Sequence, residues 1–351
     1  MKKKKNQIYT VLSLDKKPGG ISTMIQISSS ALSLSSEVIN LILTNQILQN
    51  QKFLNDLNKI KNSVIKNIGF INKIIFKFGF VGGNIKKILK KTDIIFIHNS
   101  KLLKLVRAQF PKKKIVLFFH TDKVSQLKYF KYADRVVTVN TTMEKKINSI
   151  YCKKAIYIPN SIHIKYENNT SLCKKVISDV ENKLVIGSMG RLIKKKGFDF
   201  LIKTCQEIEN VELLIAGDGK EHKNLKNISY KSHNIKLLGW IENKELFFKK
   251  IDVFCCSSYE EPFGIVIIEA MARGIPVIST DCNGPKDIIN NNKNGILIEK
   301  NNKQELKNAI IRLKDDLNLR NKLGVNAMEK YKKKFTFKEY TKNINSLIRT
   351  L

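Results

Sequence analysis

The sequence predicts an α/β protein of two domains, each built on a parallel β-sheet covered by helices. Three observations carry this. A chain of 351 residues exceeds what one hydrophobic core normally organises. Short apolar runs alternate with helix-length stretches along most of its length, the pattern of parallel sheets buried on both faces. The alternation lapses at residues 165–181 (KYENNTSLCKKVISDVE), a polar stretch of linker character. Domains are therefore expected at 1–164 and 182–334, with an amphipathic helix over 335–351.

The elements follow in order. Five residues, MKKKK, would suit the start of a signal peptide. The run after them (NQIYTVLSL) is short, half polar and followed by no small-residue cleavage site, so residues 8–14 read as a first strand. Asp15-Lys-Lys-Pro-Gly19-Gly20 then turns into an amphipathic helix beginning near Ile21. Paired glycines at that place let backbone approach a ligand or a partner domain closely. Residues 36–50 hold a second strand-and-turn region. Over residues 60–91, Val64, Ile68, Ile71, Ile75 and Phe78 recur near the 3.6-residue period, with Lys61, Lys66, Lys73 and Lys77 between them. That spacing predicts a basic amphipathic helix, either lying on a membrane surface or packed on a core with a lysine-lined outer side. Residues 93–98 (DIIFIH) and 114–120 (KIVLFFH) are buried-strand patterns that each end in His. Ligands of open α/β sheets collect at the carboxyl ends of strands, so His98 and His120 are both site candidates. Residues 135–139 and 155–158 complete the strands of the first domain. In the second, residues 183–189 (KLVIGSM), 211–216 (VELLIA), 235–238, 251–256 (IDVFCC), 277–280 and 295–299 read as strands, with helical stretches between most of them.

The stretch that organises the chemistry is residues 257–272, S-S-Y-E-E-P-F-G-I-V-I-I-E-A-M-A. Glu261 falls at a strand-to-helix turn marked by Pro262 and Gly264, and Glu269 falls about two turns into the helix. If most of the span is helical, the eight positions between them cover roughly 10–12 Å. Amide groups near Gly264, Ile265 and Val266 would offer an anion site at the helix N-terminus. Such a set can read one ligand at three points: sugar hydroxyls, phosphate and ribose hydroxyls. Gly190-Arg191-Leu-Ile-Lys-Lys-Lys196-Gly197 follows a strand and supplies fixed positive charge for a diphosphate, Arg as a fork and Lys as a point charge. Ala216-Gly217-Asp218-Gly219 is first a tight turn, and Leu238-Gly239-Trp240 holds the chain's one tryptophan. Asn283-Gly284-Pro285-Lys286-Asp287-Ile288 and Asn294-Gly295 are turns after later strands.

Taken whole, these strings resemble the retaining family-four glycosyltransferases, with glycosyl transferases group 1 sequences among them. Glu261 and Glu269 match the E-x7-E signature, with P-F-G after the first and A-M-A after the second. G-R-L-x-x-x-K-G matches the phosphate clamp, and Ile158-Pro159-Asn160-Ser161-Ile162 matches the I-P-N-G-V segment that closes the first domain, with Ser161 in place of Gly. Asp287 stands where Glu is usual. The resemblance implies the GT-B architecture, two Rossmann-like domains with parallel sheets facing across a cleft, the terminal helix crossing back to the first domain. It implies a retaining transfer of a hexose-type sugar from a nucleoside-diphosphate donor, UDP-sugar first, to a glycan or lipid-linked acceptor in cell-surface polysaccharide or lipopolysaccharide synthesis. Arg191 and Lys196 would hold the diphosphate, Glu269 the ribose and Glu261 the sugar. His120, in preference to His98, would face the sugar from the first domain beside the Gly19–Gly20 loop. Gly239 and Trp240 would sit at the base, and Phe263, Gly264, Ile265 and Val266 along the phosphates. No cofactor and no metal are expected, since no D-x-D occurs. Two alternatives stay open: another GT-B sugar-nucleotide enzyme, of epimerase or phosphorylase type, and a non-catalytic sugar-nucleotide-binding subunit.

Composition bounds the partners. Hydrophobic residues make up 42% of the chain, yet no apolar run approaches the length of a membrane-spanning helix. The six cysteines are scattered without a C-x-x-C, so free thiols are expected rather than disulfides or a zinc site. The net charge is +34, with 31 Lys and Arg against 8 Asp and Glu through residue 170 and 33 against 22 after it. Such a field attracts an anionic membrane surface, and a cytoplasmic enzyme peripheral to the inner membrane face would use it. Lys, Asn and Ile are all plentiful, so lysine content by itself does not require that role. No stacking motif supports nucleic-acid binding.

Overall fold

The computed structural model describes residues 7–13, 19–42, 51–67, 81–163 and 183–351. The chain divides into two compact units, Met1–His163 together with Thr336–Leu351, and Ile164–Phe335. The linker expected at 165–181, like Lys73 and Lys77, lies outside the described residues.

The first unit holds a parallel sheet of β1 (Ile8–Ser13), β2 (Glu37–Ile42), β3 (Ser63–Asn67), β4 (Ile94–Ile97), β5 (Lys114–Phe119), β6 (Arg135–Thr138) and β7 (Ala155–Tyr157). Their spatial order is β3-β2-β1-β4-β5-β6-β7, every pair parallel. Apolar runs with no polar alternation, such as IIFI in β4, are buried on both faces. Helices α1 (Gly20–Ser33), α2 (Gln51–Asn58), α3 (Gly83–Lys91), α4 (Leu103–Gln109) and α5 (Thr141–Ile150) cover the sheet.

One expectation is corrected here. Residues 63–67, read as part of a long helix, form β3, the edge strand paired in register with β2. Val64 is 44% exposed and Lys66 is exposed. A short β-branched segment at a sheet edge carries the same spaced apolar residues as a helix face, and strand pairing decides between them. Among the described residues of this region the basic helix is α3, which buries Ile85 and Leu89 and exposes Lys86, Lys87, Lys90 and Lys91; Ile68, Ile71, Ile75 and Phe78 lie outside the described residues.

The second unit repeats the plan with β8 (Leu184–Met189), β9 (Val211–Ala216), β10 (Ile235–Gly239), β11 (Val253–Cys256), β12 (Val277–Thr280) and β13 (Ile296–Ile298), ordered β10-β9-β8-β11-β12-β13 and all parallel. Its helices are α6 (Phe198–Cys205), α7 (His222–Ser229), α8 (Lys244–Lys250), α9 (Ile265–Met271), α10 (Asn283–Ile288), α11 (Lys303–Asp315) and α12 (Leu317–Lys334). Side-chain caps set several of the starts. Asn302 Oδ1 accepts from Glu305 N at 3.0 Å for α11, and Asp316 Oδ1 accepts from Leu319 N at 2.8 Å for α12.

The last helix, α13 (Phe337–Arg349), returns to the first unit, capped by Thr336 and packed on α1 with Tyr340, Ile344 and Leu347 buried. Thr336 pairs with Ile162, and the Phe337 ring lies 4.1 Å from that of His163. In both sheets the strand order reverses at one place, between β1 and β4 and between β8 and β11. In open α/β sheets the carboxyl ends of such a pair are where ligands bind.

Three turns meet at the carboxyl ends of β8, β9 and β10. Gly190 N donates to Ala216 O at 3.0 Å, Leu192 N to Asp218 O at 2.9 Å, and Gly217 N to Gly239 O at 2.7 Å. Gly217 sits at φ 139°, and a Cβ there would stand 1.9 Å from the Gly190 carbonyl oxygen. The A-G-D-G string is therefore a backbone packing device. Gly217→Ala is expected to destabilise the protein by about 2–4 kcal/mol. A urea midpoint lowered without change in the m-value would show it.

Candidate functional site

The site of the second unit is built by two loops that cross. One leaves β8 through Gly190–Leu192 into a single 3-10 turn over Lys194–Lys196; the other leaves β11 through Ser257 to Gly264. They are stitched through backbone. Tyr259 N donates to Lys195 O at 2.8 Å, and Ser257 Oγ donates to Lys196 O at 3.1 Å. Between those bonds Gly197 adopts φ 62°, where a Cβ would lie 2.1 Å from the Ser257 carbonyl oxygen. Glycine lets the strands of loop touch, and the contact fixes Lys196 beside Glu261.

Lys196 Nζ forms an ion pair with Glu261 Oε2. Burial is the largest single influence and lowers the ammonium pKa, but the opposing contributions, led by the charge of the Glu261 carboxylate, together hold Lys196 above its ordinary value. Gly284 N donates to the Glu261 carbonyl at 3.0 Å, which anchors the backbone from α10. Glu269 lies on α9 and, like Glu261, is only 8% exposed. Lys244 Nζ, at the start of α8, donates to Glu269 Oε1 at 2.6 Å. The other oxygen, Oε2, is buried with no partner among the described residues. Desolvating a carboxylate oxygen without compensation is costly. An acceptor kept open in this way can take a hydroxyl group of a ligand.

The remaining predicted residues fall around this pair. Arg191 is exposed on the β8 turn. Gly239 ends β10, and Trp240 beside it is 65% exposed. Gly264 caps α9, whose first residues Ile265 and Val266 are half-buried. Phe263 is buried, its ring 6.2 Å from and edge-on to Phe335, and its backbone packs against Gly284, where a Cβ would stand 2.2 Å from the Phe263 Cα. Five cysteines are free thiols among the described residues. Burial pushes the Cys255 and Cys256 thiols up, so both stay protonated and unreactive.

In the first unit, Gly19 and Gly20 are exposed at the start of α1, while residues 14–18 of that turn lie outside the described residues. His98 follows β4 and His120 follows β5. Their rings stack with centroids 5.1 Å apart and planes at 11°, and Phe118 stacks on His98 at 4.7 Å. His98 Nδ1 lies 2.8 Å from His120 Nε2, and Ser28 Oγ of α1 lies 3.3 Å from His98 Nε2. Burial holds both imidazoles below their ordinary value, His120 at about 4, with His98 further lowered by the His120 charge.

The structure thus joins Lys196 to Glu261 and His120 to His98, and it adds two residues the sequence did not single out. Lys244 meets Glu269 from 25 positions away, and Ser28 meets His98 from 70. No spacing signals either pairing, and one more lysine in so basic a chain attracts no attention.

Comparison with known proteins follows the same line. Residues 173–330 match the family model for glycosyl transferases group 1. The lipopolysaccharide core biosynthesis glycosyltransferase LpsE of Rhizobium meliloti is 28% identical over 218 residues, 59% of this chain and 62% of LpsE. The capsular polysaccharide biosynthesis glycosyltransferase CapM of Staphylococcus aureus is 27% identical over 250 residues, 68% of this chain and 64% of CapM. The matches thus span just under two thirds of each of these relatives. Among solved structures, Anabaena HepE in complex with UDP and glucose superposes with a TM-score of 0.82 at 19% identity, covering 98% of this chain and 99% of HepE. At that identity the likeness establishes the fold, and the fold is the GT-B type.

The histidine pair sets a pH dependence of stability. An unfolded histidine takes up its proton near pH 6.5, whereas His120 holds off to about 4. The native state is therefore favoured fully above pH 6.5, and that contribution is lost as pH falls toward 4. Roughly 2–4 kcal/mol rides on a shift of this size. Denaturant midpoints between pH 7 and 4.5 should fall more steeply in the native protein than in His98→Phe/His120→Phe.

Proposed function

From the match of residues 173–330 to the glycosyl transferases group 1 model, we propose that this protein is a retaining, metal-independent glycosyltransferase of that family. It moves a hexose-type sugar from a nucleoside-diphosphate donor, UDP-sugar in the first instance, to a glycan or lipid-linked acceptor of lipopolysaccharide or capsular polysaccharide synthesis. The observation that carries the proposal is the Lys196–Glu261 ion pair at the β8/β11 switch point, with Glu269 on the following helix offering a buried open oxygen. LpsE and CapM, both named as glycosyltransferases of surface polysaccharides, and HepE with its bound UDP support the choice of donor and acceptor class.

Each residue then has a task. Arg191 and Lys196 hold the diphosphate, with the backbone of Phe263, Gly264, Ile265 and Val266 beside it. Glu269 accepts from the ribose hydroxyls, Gly239 and Trp240 flank the base, and Glu261 accepts from the sugar hydroxyls. His120 and the Gly19–Gly20 turn serve the sugar and the acceptor from the first unit. As the bond from the anomeric carbon to the phosphate oxygen breaks, negative charge collects on the leaving diphosphate. A fixed, half-buried ammonium stabilises that charge without reorganising solvent. The acceptor oxygen bonds to the anomeric carbon on the same face, and its proton passes to the departing phosphate oxygen. No covalent nucleophile takes part.

The charge of the first unit fits an acceptor held at an anionic membrane surface, where each basic residue near the headgroups contributes on the order of 1 kcal/mol. No helix among the described residues is long and apolar enough to cross a membrane, so attachment would be peripheral, on the cytoplasmic face. The exposed lysines of α3 are the test. Retention on anionic vesicles at low salt should drop on charge reversal of Lys86, Lys87 and Lys90, and absence of retention in the native protein would remove this part of the reading.

For the donor, a panel of UDP-, GDP-, ADP- and CDP-sugars should give a raised thermal midpoint with one base. The shift should survive EDTA and vanish in Glu269→Ala. Transfer with retention of anomeric configuration should fall at least a hundredfold in Lys196→Ala. Binding without turnover would point to a non-catalytic subunit, and conversion of the sugar without an acceptor would point to an epimerase.

A further inference from the structure

We infer that Ser28 and His98 form a relay that fixes the tautomer of His120, so that His120 carries its proton on Nε2 and keeps Nδ1 as a bare hydrogen-bond acceptor. In this role Ser28 and His98 are positioning residues: neither is assigned a contact with substrate, and both act through His120.

The direction of the relay can be read from each end independently. At the α1 end, the single hydroxyl proton of Ser28 is donated to Ile25 O at 3.0 Å, the back-bond that a serine inside a helix makes to the preceding turn. With that proton committed, Ser28 Oγ can only accept from His98 Nε2. His98 is then protonated on Nε2, its Nδ1 is a lone pair, and the 2.8 Å contact requires His120 Nε2 to be the donor. At the other end, His120 Nδ1 is buried with no partner among the described residues. Reversing the relay would place an N–H there, and an orphaned buried N–H is rarer and costlier than an unused lone pair. Both ends select the same direction. Stacking of Phe118, His98 and His120 in near-parallel planes, 14° and 11° apart in successive pairs, prevents either ring from turning over cheaply.

The consequence is chemical. A neutral imidazole that presents only a lone pair recognises a hydroxyl or amide donor and rejects an acceptor or an anion. For a sugar-transferring site the ligand group is a sugar hydroxyl; that identification rests on the function proposed above, whereas the relay itself does not.

The test uses the full chain labelled with nitrogen-15, in which long-range proton–nitrogen correlation reports which ring nitrogen of each of the five histidines is protonated. The native protein should show Nε2–H on both His98 and His120. Ser28→Ala, which removes the acceptor without adding volume, should bring the Nδ1–H form onto His120. His98→Phe should do the same, and His98→Asn, whose amide oxygen takes the place of Nδ1, should restore Nε2–H. Nδ1–H on His120 in the native protein, or an unaltered His120 in Ser28→Ala, overturns the relay whatever the activity. In transfer assays Ser28→Ala should lower kcat about tenfold with the donor KM changed less than twofold. An unchanged kcat alongside a switched tautomer overturns the assignment of the Nδ1 acceptor to the sugar. If no sugar nucleotide supports transfer at all, the proposed reaction fails while the nuclear magnetic resonance result still decides the relay.

Discussion

The second unit depends on one crossing of backbone, where Gly197 passes the Ser257 carbonyl with no room for a side chain. Lys196 and Glu261 take their places from that contact. It brings a lysine and a glutamate 65 positions apart into an ion pair, close to the end of the sheet where the strand order reverses. Neither charge could be buried alone, because desolvating a single ion costs several kcal/mol. Together each supplies the counter-charge the other needs, and the loop crossing holds the ammonium in one place.

The two units show the same plan with different surfaces. Each has an uninterrupted parallel sheet, apolar on both faces and covered by helices. The first carries most of the excess positive charge, on elements such as α3 whose apolar stripe is narrow and whose lysines face outward. The second carries more acidic residues, most of them exposed, and buries Glu261 and Glu269, which pair with Lys196 and Lys244.

Much of this was legible in the sequence, for identifiable reasons. Strands such as IIFI, VELLIA and VFCC read cleanly because continuous apolar runs of that length have few other uses. The Glu261 and Lys196 positions were found because they belong to long strings whose glycines and proline mark the loops that cross. Ser63–Asn67 was misread, since five residues at a sheet edge carry no periodicity of their own and their pairing with β2 is decided by neighbours the local sequence does not contain. The pairings of Lys244 with Glu269 and of Ser28 with His98 were invisible for the same reason. Each joins residues on different elements, and only the packing of α8 against the sheet, or of α1 over β4, brings them together. Strand by strand His98 reads no differently from His120, and only the family resemblance prefers the latter. Seen beside its neighbour, His98 is the half of the pair that decides what the other can do.

Trp240 carries a practical consequence. It is the only tryptophan of the chain, and it stands 65% exposed on the turn after β10. The indole is already largely in water in the native protein, so its emission changes little when the cores melt, and it does not report global unfolding. It reports its own turn instead. A molecule that covers that turn moves the indole from water to an apolar or stacked environment, and no other tryptophan obscures the signal. The protein therefore carries a built-in optical probe at one place on its surface, and unfolding has to be followed through the backbone.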